Sequence, residues 1–293
     1  MNLLEQMING LGTGSIYALV ALGYSMVYGI VQLINFAHGD IIMVGAYVVY
    51  VMMVMAGLPL WAGILISILF CAFAGVLIER LAYRRLLVKG APRISLLITA
   101  IGVSIFLQNL SQLIFTSSAK PMPAMFPNAL IKLGGMQLSS NTLLNIGVSV
   151  VMMLALQVLV KNTKIGKAMR ATSEDAGAAK LMGINTNSVI TFTFAVGSAL
   201  AAVGAVLYSN TFTQITPYMG GLLGLKAFVA AVLGGIGNIP GAMLGGYILG
   251  VAESLTTAMG GSTITDAVVF GILIIVLLVK PSGLLGRNVR EKV

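Results

Sequence analysis

Long apolar stretches alternate with short polar breaks along this chain, and the stretches set the expected elements. Residues 10–34 carry no charge and exceed the ~20 apolar residues that a helix needs to cross a bilayer core. Within them Gly10 and Gly14 stand four apart on one helix face, a spacing that lets two helices approach closely. Residues 41–55, 60–78, 94–118, 141–160 and 188–209 predict five more spans, and residues 262–279 predict the last. After the fourth span, Pro121, Pro123 and Pro127 forbid a continuous helix and mark a loop through about residue 140.

Two interruptions stand out from ordinary loops. Asn35-Phe36-Ala37-His38-Gly39-Asp40 separates two apolar runs with almost no room for a loop. One reading is a turn in which Asp40 or Asn35 caps the next helix; the other is a helix broken at membrane depth, where an ionisable group is a functional candidate. The second interruption, Gly234-Gly235-Ile236-Gly237-Asn238-Ile239-Pro240-Gly241, lies inside the uncharged residues 227–252. Pro240 lacks a backbone donor and the glycines loosen the chain around it, so one straight rod is excluded.

Charge then orients the spans. Arg80, Arg84, Arg85, Lys89 and Arg93 form one basic cluster, Lys161, Lys164, Lys167, Arg170 and Lys180 a second, and Lys280, Arg287, Arg290 and Lys292 close the chain. All three adjoin apolar runs, which is the pattern of cytoplasmic loops rather than of a nucleic-acid surface, despite a formal charge of +9. On this reading the C-terminus is cytoplasmic and the N-terminus lies outside. The outer loop near Pro217 and the basic tail must then be separated by an odd number of crossings. The last span supplies one, so the Gly/Pro-interrupted segment supplies none or two, as a re-entrant hairpin or two short spans.

Composition changes the picture only by closing alternatives. With 58% hydrophobic and 9% charged residues the chain cannot cover itself with a polar surface. The expected fold class is an all-α polytopic membrane protein of about eight transmembrane helices, including the broken segment, with residues 1–293 forming a single transmembrane domain. Cys71 is the sole cysteine, so no intrachain disulfide forms. Nothing before the first apolar run has the basic start of a removable signal peptide.

No stretch predicts catalysis. His38 is the one histidine, so neither a zinc pair nor a Ser/His/Asp motif arises, and no glycine loop has the spacing of a nucleotide site. The sequence predicts no catalytic residue, no cofactor and no metal site. That makes the polar island at residues 161–187 informative, because it lies between uncharged residues 133–160 and 181–225 and has the length of a small folded unit outside lipid.

Within the island, Ala178-Ala179-Lys180-Leu181-Met182-Gly183 resembles the Ala-Ala-x-x-x-Gly portion of the coupling loop in ATP-binding-cassette importer permeases. The glutamate usual before the alanines is Gly177 here, with Glu174 and Asp175 about a turn earlier. Further stretches are similar to the LivH-type permease of branched-chain amino acid importers: residues 34–40, Ile78-Glu79-Arg80-Leu81-Ala82-Tyr83-Arg84, Ile105-Phe106-Leu107-Gln108-Asn109, residues 182–186, residues 226–237 and Pro281-Ser282-Gly283-Leu284-Leu285-Gly286-Arg287.

That resemblance implies a permease in the bacterial inner membrane that pairs with a second related permease, two cytoplasmic ATPases and a periplasmic substrate-binding protein. Its usual cargo would be leucine, isoleucine and valine, although relatives on the same framework carry urea or short amides. Glu174, Asp175, Ala178, Ala179 and Gly183 are then expected to dock the ATPase. Asn35, His38, Asp40, Lys226, Gly234, Gly235, Gly237, Asn238, Pro240 and Gly241 are expected to line or gate the path. Lys226 either meets a substrate carboxylate or snorkels to the interface, while Glu253 and Asp266 are expected near helix ends, where carboxylates are solvated or cap a helix start. An ion-coupled transporter is the rival class, and it would usually carry coupling groups within its spans; Asp40 is the only acidic residue deep in the first half.

Overall fold

The computed structural model describes residues 3–32, 34–133 and 136–286. Apolar runs become helices because a backbone in hydrocarbon must satisfy its own hydrogen bonds. In order these are α1 (Leu3–Val31), α2 (His38–Tyr50), α3 (Leu60–Ile78), α4 (Arg84–Val88), α5 (Arg93–Phe115), α6 (Ser140–Asn162), α7 (Lys164–Glu174), α8 (Ala176–Leu181), α9 (Thr186–Phe212), α10 (Met219–Gly234), α11 (Ile239–Ala258) and α12 (Thr265–Val279). A π turn, Val51–Met55, extends α2, and another, Glu79–Tyr83, joins α3 to α4 without a break. The basic cluster from Arg80 to Arg85 therefore sits on the end of a continuous helix rather than in a loop.

Among the described residues, seven helices are long and apolar enough to cross a membrane. The interrupted segment adds α10 and α11, of 16 and 20 residues. This is an all-α multi-pass membrane protein, and its Gly/Pro-interrupted segment is two helices joined at the break rather than one straight rod. The proline-bearing loop is more ordered than its composition suggests. Its β1 (Lys120–Pro121) pairs antiparallel with β4 (Gln214–Ile215), and β2 (Leu130–Leu133) pairs with β3 (Met136–Ser139).

Helix α1 is the axis of the bundle, packed on by α11, α9, α6 and α10. Small residues allow this. A Cβ at Gly10 would stand 2.7 Å from Val251 Cα and one at Gly14 2.7 Å from the Gly246 oxygen, while one at Gly250 would run into the backbone of Gly14. Two helices that meet backbone to backbone gain dispersion contact with no long side chain between them. The buried core lies along α1, α2, α9, α10 and α11. Helices α3, α5, α6 and α12 expose leucine, isoleucine and phenylalanine outward, as lipid-facing surfaces do.

Contacts sort the connections onto two faces. On one, Thr191 near the start of α9 meets Glu79, Gly237 meets Gly29 near the end of α1, and Leu284 donates to the Leu233 oxygen. This face carries the basic helix end, the island and the α10–α11 turn. On the other, Asn210 Oδ1 accepts from the amides of Met125 and Phe126, and Ser254 donates to the Gln6 oxygen. The tail expected in the cytoplasm, with Arg287, Arg290 and Lys292, lies outside the described residues.

Candidate functional site

The first interruption is a true break within the bundle. α2 starts at His38 with Ala37 in the capping position and no side-chain cap, so neither Asn35 nor Asp40 serves as the N-cap. Asn35 Oδ1 instead accepts from the Tyr83 hydroxyl at 2.7 Å, and Asp40 Oδ1 accepts from Gln108 Nε2 at 3.0 Å. The His38 imidazole packs edge-on against Tyr24, 4.8 Å between centroids, and occupies the space a side chain at Gly23 would need. Gly23 lies eight residues before the end of α1, about 12 Å along a helix. The chain thus folds back along α1 before α2 begins.

Gly39 seats this break against α10, where a Cβ on Gly220 would come within 2.6 Å of the Gly39 oxygen and one on Gly224 within 2.7 Å of its Cα. Asn35, His38 and Asp40 are each 1–2% exposed. Even so, Asn35 Nδ2, His38 Nε2 and Asp40 Oδ2 have no hydrogen-bond partner among the described residues. Buried polar atoms in that state are costly in a dry site, and three within six residues mark this as the place that a polar solute or water chain would best relieve.

The second interruption has the opposite character. Gly235 and Gly237 take φ of +106° and +86°, a region natural to glycine. The Gly237 amide donates to Ser25 Oγ at 2.9 Å, Asn238 Oδ1 caps α11 through the Gly241 amide, and Asn238 Nδ2 donates to the Leu285 oxygen. Pro240 stands in the first turn of α11, where its missing N–H costs nothing. Gly234 and Gly241 pack backbone to backbone. Both interruptions lean on the second half of α1, and Phe228 of α10 touches Tyr24 and Phe36 between them.

Lys226 stands apart from both. Its ammonium lies 2.7 Å from Glu253 Oε1 and 2.9 Å from Asp266 Oδ1, and the Tyr17 hydroxyl donates to Glu253 Oε2 at 2.6 Å. Glu253 is therefore not the solvated helix end that the sequence suggests, and Asp266 is tied to the same lysine. The antiparallel pairing of α10 with α11 brings these charges together, which no local pattern could reveal. In this structure the Lys226 ammonium is shared between the two carboxylates.

The island is a folded elbow. Thr163 caps α7 through the Gly166 amide, and the Asp175 carboxylate accepts from the amides of Gly177 and Ala178 to start α8. Arg170 donates to the carbonyls of Val160 and Lys161, closing α7 onto the end of α6. Met169 anchors α7 in the main core, and Ala179 is 4% exposed. At the tip, Leu181 and Met182 are 90% and 83% exposed, followed by Gly183 at φ +82°. Glu174 and Ala178 are exposed, so of the five docking residues expected from sequence, Asp175 doubles as a cap and Ala179 faces inward. The exposed apolar pair lies inside the Ala178–Gly183 motif but was not singled out, because local sequence does not show which side chains of a short helix face outward.

The family model for the permease component of branched-chain amino acid transport systems matches residues 6–278. The chain belongs to that permease family. It is 45% identical to the high-affinity branched-chain amino acid transport system permease protein BraD of Pseudomonas aeruginosa, over 99% of this chain and 98% of that one. Identity is also 45% to the LivH permease protein of Escherichia coli K12, over 99% and 97%. The probable LivH permease protein of Methanocaldococcus jannaschii is 30% identical over 93% and 89%. The chain is thus a member of a family of transport-system permease components.

Proposed function

We propose that residues 1–293 act as one permease domain of an ATP-driven importer that carries leucine, isoleucine and valine across a bacterial inner membrane. The observation that carries this reading is the exposed Leu181–Met182 pair on an elbow whose Ala168, Met169 and Ile184 pack into the main core. Nothing in the described residues suggests a nucleotide site of its own, and an apolar knob flanked by Glu174 and Lys180 suits a groove on a soluble motor subunit. Two ATPases, a second related permease and a periplasmic binding protein complete the assembly, with the elbow face and the C-terminus in the cytoplasm.

Transport then proceeds by alternating access. Closure of the ATPases displaces α7 and α8, and α9, which follows α8 after a four-residue turn, moves with them. The buried polar atoms of Asn35, His38 and Asp40 offer the site where a path through the bundle would be hydrated. With its lysine paired internally, the permease holds no free charge for an amino acid's carboxylate at Lys226, so cargo choice rests with the binding protein. Leucine uptake into proteoliposomes holding the full complex tests this: it should require ATP inside and binding protein outside. Uptake by this chain alone, or uptake driven by an ion gradient, would overturn it, and competition by urea but not leucine would reassign the cargo.

A further inference from the structure

The stretch Ile78 to Arg84 holds a connected polar group on the elbow face. The π turn Glu79–Tyr83 buries both of its end residues, Glu79 at 1% and Tyr83 at 0% exposure. Arg84, five residues after Glu79, matches the spacing of that wider turn. Its Nε and Nη2 reach Glu79 Oε1 and Oε2 at 2.9 and 2.8 Å, a planar fork closed on one carboxylate.

Thr191 of α9 joins the fork, its hydroxyl accepting from Arg84 Nη2 at 2.5 Å while its one proton faces both the Asn187 carbonyl at 2.8 Å and Glu79 Oε2 at 3.1 Å. One turn further on, Phe194 packs against the Tyr83 ring, 5.5 Å between centroids. The Tyr83 hydroxyl donates to Asn35 Oδ1. A continuous line of contacts therefore runs from the first turns of α9, through the fork and Tyr83, to the polar break. At its other end the Ile184 amide donates to the Ala179 oxygen, tying α8 to the start of α9.

A buried ion pair is a poor way to gain stability, since apolar packing of equal volume often does as well. A fork placed between the elbow and the one break with unpartnered polar atoms has a clearer use. We propose that Glu79, Arg84, Thr191 and Tyr83 are positioning residues that transmit displacement of the elbow to Asn35, so that motor closure opens the break. This rests on the importer reading above.

The test uses the reconstituted full complex and three readouts: ATPase retained on purification, ATP turnover, and leucine moved per ATP. Tyr83→Phe keeps the ring against Phe194 and removes only the bond to Asn35; Thr191→Val keeps shape and removes the bond to the fork. Each should retain the ATPase and its turnover while moving about tenfold less leucine per ATP, in the range of ordinary coupling energies. The double variant should be no worse than the worse single one, because both interrupt one line. Unchanged leucine per ATP, additive losses, or transport and turnover falling in proportion would overturn the proposal. A wild-type complex that moves no leucine on ATP would remove the importer reading and this proposal together, whereas wild-type transport with an unchanged Tyr83→Phe ratio removes this proposal alone.

Discussion

Lys226 Nζ stands 2.7 Å from Glu253 Oε1, so the hairpin of α10 and α11 is closed by an ion pair among apolar helices. Asp266 brings α12 into the same group, and Tyr17 brings α1. Removing the ammonium leaves the largely buried Glu253 carboxylate without its cation; losing one partner of a fully buried pair costs roughly 3–5 kcal/mol, and this partly solvated group should cost somewhat less. Lys226→Met should therefore lower the thermal unfolding temperature of the detergent-solubilised permease, with Lys226→Arg recovering most of it. Asp266, about half exposed at 52%, should matter far less, under about 1 kcal/mol for Asp266→Asn. Unchanged stability of Lys226→Met with a raised KM for transport would instead make the lysine a solute contact.

The α1–α11 contact makes a second prediction. Gly14 and Gly250 meet with no space for a Cβ, and the obstructing atoms are backbone. Gly250→Leu should separate the two helices and abolish folded expression, well beyond the ~1–3 kcal/mol of ordinary overpacking. Gly102→Leu is the matched control, since a Cβ there meets nothing within 4 Å. Fluorescence-detected size exclusion of both variants decides it: a monodisperse Gly250→Leu peak would count against the packing argument.

How far the chain could be read in advance follows from the range of each signal. The spans were legible because a bilayer demands uninterrupted apolar length, and Gly10 and Gly14 were legible as a close-packing face because the spacing is local. The pairing of Lys226 with Glu253 was not, because 27 residues separate them and the hairpin geometry alone joins them. The Asn35 break was visible as polar letters among apolar ones, but Tyr83 and Gln108, which hold its oxygens, come from other helices. The elbow was found from its charge, while its exposed tip was hidden because which side of α8 faces the bundle depends on how the short helix packs.

That tip supports a third prediction. Leu181→Ser and Met182→Ser change side chains that are almost wholly solvent-exposed, so the isolated permease should unfold at its usual temperature, within about 0.5 kcal/mol. If the elbow seats in a motor subunit, losing two apolar anchors should weaken retention of that ATPase by at least tenfold, as for anchors at an interface centre. Co-purification at graded salt and detergent measures it, and full retention by the double variant would shift docking to another surface.

The two interruptions, alike as sequence, should separate under chemical labelling. Asn35, His38 and Asp40 keep polar atoms that no described residue satisfies, whereas Gly237 bonds Ser25 and Asn238 bonds Gly241 and Leu285. Water entering the bundle during transport lowers the free energy of the first set and does nothing for the second. With Cys71 replaced by serine, which keeps a hydroxyl near the Ile41 carbonyl that the thiol now faces, a cysteine at Asn35 should react with a water-soluble maleimide. Its rate should change severalfold between the nucleotide-free and ATP-trapped complex, because only a hydrated break that opens and closes exposes the thiol in turn. A cysteine at Asn238 should react at one rate in both states. Equal, state-independent rates at the two positions would mean that the break at Asn35 is a packing device and that the path runs elsewhere.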